Sequence, residues 1–304
     1  KRLRDLIARL DVPPMPSAQR DFLAWVSDYT LASLGSVLRL AMSVPAALAP
    51  PKPQTGYAVG SLPPSRVTPA RQRVLQEVAN QPPRIASDLA RAAGVTPSVV
   101  KGLADQGALV PVQILPELGL GQPDPSQKGV ELSPIQAEAA ARLSAKVVEG
   151  GFSVTLLDGV TGAGKTEVYL DAVAQALRQG KQALVLVPEI ALTSQWLERF
   201  QRRFGASPAE WHSDLPASKR RAIWRAVAEG KVSVVVGARS ALFLPYANLG
   251  LIVVDEEHDA SYKQEEGVIY SARDMTVVRA RIGGFPAILV SATPSLETLI
   301  NTQT

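Results

Sequence analysis

One eight-residue run constrains the fold more than any other feature. Gly159-Val160-Thr161-Gly162-Ala163-Gly164-Lys165-Thr166 satisfies the pattern G-x-x-x-x-G-K-[ST] at every position. It follows the apolar run FSVTLL and opens a helical pattern that reaches about Arg178, so it occupies a strand-to-helix turn. Such a turn lets backbone N–H groups curl around phosphate oxygens, with the positive end of the helix behind them. In that arrangement Lys165 reaches the β- and γ-phosphates of a nucleotide and the Thr166 hydroxyl ligates Mg²⁺.

The downstream pattern agrees with this turn. QALVLV, VSVVVG, LGLIVVD and AILVSAT are short β-branched runs, with a helix around Gln195–Phe204 among them. That alternation predicts an α/β fold with a parallel sheet buried on both faces. Asp255 ends the strand LGLIVV, where a carboxylate can hold Mg²⁺ through water, and Glu256 beside it is the candidate for orienting and activating an attacking water. Alone, DEEHD reads as a solvated acidic loop. After a buried strand and downstream of a phosphate loop it reads as the second half of a nucleotide site.

The N-terminal half is organised differently. Residues 1–44 read as helical, and the proline-rich stretch that follows reads as an extended connector over 51–63. Between 64 and 112, three short helical patterns precede the strand ALVPVQIL. Thr96 is placed as N-cap and Pro97 at the first helical position of the third helix. Helix, helix, turn, helix, strand is the layout of a winged helix, although its third helix exposes few groups able to read bases. A compact spacer or protein-docking module fits the same pattern. Residues 113–129 read as a second linker, and 130–304 as one nucleotide-binding lobe.

Composition excludes several classes. With 304 residues, 46% hydrophobic and 20% charged, the chain is not disordered, collagen-like or a coiled coil, and its length matches about two domains. The absence of cysteine excludes a disulfide framework or thiolate metal site and fits a reducing compartment. The most apolar stretch, Leu31–Pro50, is interrupted by Arg39 and Pro45, so no membrane span is expected. The opening KRLRDLIARL reads as an internal cut. The whole +4 excess of charge lies in residues 1–127, as expected of an accessory part that meets an anionic partner.

Ser291-Ala292-Thr293-Pro294 closes the strand AILV, and DEEH with SAT is a superfamily-two helicase combination. The strings GVTGAGKTEVYL, VPEIALT, HSDL, GARSALFLP, DEEHDASYKQEEG, YSARD and SATPSLET resemble the first motor lobe of the bacterial primosomal replication-restart helicases. The resemblance is close over 132–304. It is looser over the winged helix at 64–112 and over 1–50, which it matches to the tail of the family's 3′-end DNA-binding domain.

The resemblance implies a RecA-like lobe in which Gln136 reads the adenine of ATP. It implies that Pro188, Thr193, Gly237, Arg239 and Ser240 line a single-strand path. Tyr262, Lys263, Tyr270 and Arg273 belong to a loop linking DNA contact to the ATP site, and His258, Ser291 and Thr293 transmit that link. ATP and Mg²⁺ are the implied cofactors, with zinc only in a downstream region. The implied partners are single-stranded and forked DNA, single-stranded-DNA-binding protein and primosome or replicative-helicase loading proteins, in the bacterial cytoplasm at the nucleoid. Ala163 and Ala238 stand where Ser and Thr are expected. The zinc-binding cysteines, second lobe and arginine finger of the family are expected beyond Thr304, so this portion is expected to bind nucleotide and hydrolyse it poorly.

Other readings of the same residues stay open. Arg239 also reads as a surface ion-pair residue, and Tyr262 and Tyr270 as packing residues. His212 reads as structural, Lys219-Arg220-Arg221 as a solvated helix face, and Trp196, Trp211 and Trp224 as core or partly covered surface. For function, the alternatives are a non-catalytic fork-DNA-binding scaffold and a nucleotide-switched winged-helix regulator.

Overall fold

The structure, a computed structural model, describes residues 9–10, 12–79, 81–115, 118–188 and 193–302. Residues 189–192 of the VPEIALT string and the first part of the expected N-terminal helix lie outside the described residues. The chain divides into two compact units, one formed by 1–49 together with 118–304 and the other by 50–117.

Two helices open the first unit. In α1 (Ser17–Thr30), Gln19, Phe22, Leu23 and Val26 recur at helical spacing and form its buried face. In α2 (Leu34–Ala41), the N-cap hydroxyl of Ser33 accepts from Ser36 N. A 3₁₀ turn over Pro45–Leu48 follows.

The second unit contains β1 (Gln54–Val59), α3 (Pro69–Ala79), β2 (Arg84–Ile85), α4 (Ala86–Ala92), α5 (Pro97–Asp105) and β3 (Leu109–Ile114). Its three strands form an antiparallel sheet in the order β2-β1-β3. Val74, Leu89, Val100, Leu103 and Leu109 make its core. β1 lies inside the stretch expected to be a connector. It begins directly after Pro53, and the extended φ that proline imposes suits a strand. Thr96 stands at the N-cap position of α5, but its hydroxyl pairs with Ser98 Oγ at 2.7 Å instead of capping the helix.

The rest of the first unit is the lobe: α6 (Pro134–Glu149), β4 (Ser153–Asp158), α7 (Lys165–Arg178), β5 (Gln182–Leu186), α8 (Ser194–Phe204), β6 (Ala209–Trp211), α9 (Ala217–Ala228), β7 (Val234–Gly237), β8 (Leu249–Val254), β9 (Lys263–Gln264), β10 (Tyr270–Ser271), α10 (Ala272–Gly283), β11 (Pro286–Ser291) and α11 (Leu296–Asn301). Six strands form one parallel sheet in the order β4-β11-β8-β5-β7-β6, as the alternating pattern predicts. β9 and β10 form a separate antiparallel pair. The period of two divides the central strands between two cores. Ala183, Val185, Leu251 and Val253 face the core built with α6, α7 and α8, whereas Leu184, Leu186, Ile252 and Val254 face the other.

That second core is where α1 and α2 belong. Phe22, Val26, Val37 and Ala41 join Trp224, Phe243 and Met275 in a single apolar cluster. Gln19 Nε2 donates to Phe243 O at 3.0 Å and Trp224 Nε1 to Ala41 O at 2.8 Å. Arg279 is buried beside them, donating to Gln19 Oε1 and to Leu244 O, with its guanidinium over the Phe22 and Tyr246 rings. Burial pulls its pKa down to about 10. Residues 17–49 therefore complete this lobe, a grouping that differs from the separate N-terminal segment expected.

The expected linker 113–129 also differs, because its second part lies along α7 and α8. Arg203 Nη1 donates to Gln127 O at 2.5 Å, Arg178 Nη2 to Pro125 O at 2.8 Å, and Asp124 N to Phe204 O at 2.9 Å. Arg220 sits over the Trp211 ring at 5.2 Å, so the basic run on α9 is not wholly solvated.

Gly237 ends β7 against its edge neighbour. A Cβ there would lie 2.2 Å from the Trp211 carbonyl oxygen, a backbone atom that cannot swing aside. Gly237→Ala is expected to destabilise the protein by about 1–3 kcal/mol, the usual cost of overpacking. A chemical denaturation midpoint unchanged from the parent protein would contradict this close-approach reading.

Candidate nucleotide-binding site

The phosphate loop runs from the end of β4 into α7. Gly162 and Gly164 take positive φ, 80° and 76°, which explains glycine at both. At Gly164 a side chain would also meet Gln136 Nε2 at 2.6 Å. The N–H groups of Gly162 and Gly164 donate to no backbone carbonyl among the described residues. Lys165 Nζ folds back over the loop and donates to Gly159 O at 2.6 Å. Free backbone donors, the N-terminus of a 14-residue helix and one ammonium group make a cradle suited to a nucleotide polyphosphate.

Gln136 closes one side. It completes a capping box at the start of α6, where Ser133 N donates to Gln136 Oε1 at 2.8 Å, and its Nε2 donates to Ala163 O at 2.8 Å. The side chain is thereby held between a helix N-terminus and the phosphate loop.

Asp255 follows β8, two strands from β4, and β11 bridges them. Ser291, the last residue of β11, pairs with Asp158 and accepts from Gly159 N at 3.2 Å, while Glu257 N donates to Val290 O at 2.9 Å. Both acidic and phosphate segments thus emerge at the carboxyl end of the parallel strands. Burial pushes the Asp255 pKa up, and the Glu256 charge adds to this. The Tyr169 hydrogen bond and the Lys165 charge act in the opposite direction. A buried carboxylate near an ammonium and the Thr166 hydroxyl is a donor set suited to Mg²⁺.

Tyr169 Oη lies 2.8 Å from Asp255 Oδ2, and Trp196 Nε1 donates to the Tyr169 oxygen at 2.8 Å. Glu256 has φ 47° in the left-handed region, unusual for a residue other than glycine, and its half-exposed side chain stands 3.8 Å from His258 Nδ1.

A second network ties this loop to the segment after β11. His258 Nδ1 and Ser291 Oγ are 2.7 Å apart, and Thr293 N donates to Ser291 Oγ at 3.0 Å. The Glu257 side chain is wholly buried and accepts from Ser295 N at 2.7 Å, Thr298 Oγ1 at 3.0 Å and Arg273 Nη1 at 3.4 Å. Arg273 also donates to Ser295 Oγ and Asp274 Oδ1.

The expected strand-path residues take varied positions. Pro188 is buried after β5, and Thr193 caps α8 by accepting from Trp196 N at 3.3 Å. Ser240 is exposed in the 3₁₀ turn Arg239–Phe243. Arg239 reaches two carbonyls, Ser261 O and Lys263 O, each at 2.8 Å. Lys263 is exposed, but Tyr262 and Tyr270 are buried and offer no free ring face to a base. Tyr262 Oη instead donates within 3.0 Å of Leu186 O and 2.5 Å of Asp255 O, and Tyr270 meets Phe243 edge-on. Sequence reasoning missed Tyr169 and Glu257. Tyr169 could have been found from its position one helical turn after Thr166.

The DEAD/DEAH box helicase family profile matches residues 133–302, more than half of the chain. The chain belongs to the DEAD/DEAH box helicase family. Among curated proteins it is similar to the replication restart protein PriA of Rickettsia conorii, 52% identical over 149 residues, which covers 49% of this chain and 23% of that protein. Proteins of the same name align along most of the chain. The Chlamydia pneumoniae protein is 37% identical over 306 residues, covering 94% of this chain and 40% of the relative. The Synechocystis protein is 38% identical over 296 residues, covering 95% and 34%. The chain therefore spans less than half the length of these relatives. A solved helicase, MrfA, is similar over 57% of this chain and 28% of its own at 23% identity, with a TM-score of 0.40.

Proposed function

We propose that this chain is the ATP-binding lobe of a DNA helicase that acts in replication restart. The observation that carries the reading is the meeting of Lys165, Thr166, Asp255 and Glu256 at the carboxyl end of the parallel strands. In this reading the N–H groups of Gly162 and Gly164 and the Lys165 ammonium hold the phosphates, with Val160 and Thr161 completing the loop. Thr166 and Asp255 hold Mg²⁺, Gln136 reads the adenine, and Glu256 orients and activates water. Bound Mg-ATP supplies the free energy of phosphoryl transfer.

The same reading assigns the single-strand path to Pro188, Thr193, Gly237, Ser240 and Lys263, near the carboxyl ends of the sheet strands. Arg239 and Tyr262 hold the loop beside that path, and Tyr270 and Arg273 brace it from β10 and α10. His258, Ser291 and Thr293 carry its state to Asp255. Residues 50–117 act as a winged-helix accessory unit, and forked DNA, primosome proteins and a zinc-bearing region belong to the complete protein. The similarity to replication restart proteins along most of the chain supports the replication-restart assignment. The test is strand separation by the complete protein on a forked duplex, with ATP and Mg²⁺ required. Binding of forks without ATP-dependent unwinding would replace the motor by a scaffold, and tight preference for one duplex sequence would favour a regulator.

A further inference from the structure

We propose that Tyr169 is a positioning residue for the Asp255 carboxylate of the nucleotide site and that the indole of Trp196 holds it in place. This rests on reading Asp255 and Thr166 as the metal-binding pair.

The direction of the hydrogen bonds follows from the chemistry of the three groups. An indole N–H only donates, so the Tyr169 oxygen accepts from Trp196. The phenol has a single proton, and the group 2.8 Å away on its other side is the Asp255 carboxylate. That proton is therefore committed to Asp255 Oδ2. Oδ1 of the same carboxylate accepts from Glu256 N at 3.0 Å. One fixed donor on each oxygen locks the rotation of the carboxylate and leaves its remaining lone pairs for the site.

The surroundings argue against a filling role alone. Tyr169 is fully buried among Val185, Phe200 and Val253, where a phenylalanine would satisfy packing without placing a hydroxyl in an apolar core. Trp196 stacks on Phe200 at 5.7 Å and stands in the first turn of α8, whose cap is Thr193. A shift of that turn therefore reaches Asp255 through two hydrogen bonds.

The test compares ADP affinity of the complete protein by calorimetry with Mg²⁺ and with EDTA, in Tyr169→Phe, Trp196→Phe and the double variant. Loss of a supporting partner of a metal ligand costs about tenfold or more in metal affinity. Tyr169→Phe should therefore weaken ADP binding by about tenfold with Mg²⁺ and by less than about twofold in EDTA. Trp196→Phe keeps the stacking surface and should act in the same direction by about threefold, with the double variant no weaker than Tyr169→Phe. With fluorotryptophan incorporated, the fluorine resonance that disappears in Trp196→Phe should shift on adding ADP with Mg²⁺ and stay in place with ADP in EDTA. Equal losses with and without Mg²⁺ would assign Tyr169 to packing and overturn the proposal, as would undiminished binding. If the unsubstituted protein binds ADP no better with Mg²⁺ than without, the metal-site reading itself fails.

Discussion

Glu256→Gln is expected to slow ATP hydrolysis by the complete protein by about 10²–10⁴-fold, the usual worth of a positioned general base. Nucleotide affinity should stay within about threefold, because the amide keeps the shape of the side chain and no phosphate contact is assigned to it. Three observations single out Glu256 among the successive acids Asp255, Glu256 and Glu257. Asp255 is engaged on both oxygens by Tyr169 and by Glu256 N. Glu257 is wholly buried and committed to Ser295, Thr298 and Arg273. Glu256 keeps a partly exposed carboxylate and holds a left-handed φ that costs conformational energy, a combination found where geometry is set for chemistry. Steady-state hydrolysis with single-stranded DNA, measured beside nucleotide binding, checks this. Unchanged turnover would move the base elsewhere.

Lys165→Ala should reduce ATP turnover about 10²–10³-fold and abolish ATP-dependent unwinding by the complete protein. The ammonium lies over the loop at 2.6 Å from Gly159 O, and it is the one cation the motif places toward the β- and γ-phosphates. Unlike the glutamate change, this one should also weaken nucleotide binding, because the charge serves the ground state as well as the reaction. Stability should hardly change, since Lys165 Nζ bonds only to loop carbonyls outside the apolar cores. Retained unwinding in Lys165→Ala would remove the motor reading altogether.

What could be read in advance divides along a physical line. The strand-to-helix turn at Gly159–Thr166 and the place of Asp255 at the end of its strand were legible because contiguous residues carry both patterns. The parallel sheet was legible because runs such as QALVL and LGLIVV are long enough to show burial on both faces. β6 was missed, since three residues are too few for any period. The helical pattern of α1 showed which face is apolar, but periodicity does not say what covers a face. Arg279 and Phe243, more than two hundred residues onward, supply the answer. Glu257 was hidden because a run of acids reads as solvated until partners are known. Tyr262 and Tyr270 read either as loop residues linking DNA contact to the ATP site or as packing residues, and both rings are buried.

The joining of residues 17–49 to the lobe also has a consequence for synthesis. Translation delivers α1 long before the groups that cover it, because α1 ends at Thr30 and α10 begins at Ala272. At about 5–20 residues per second, the ribosome takes roughly ten to fifty seconds to cross that gap. For that interval Phe22, Leu23 and Val26 have no native partner from α10, and the small unit, whose core is its own, is free to fold in the meantime. The nascent chain thus presents the apolar face of α1 well before α10 exists to cover it. That face of the lobe's sheet is completed only when α10 arrives.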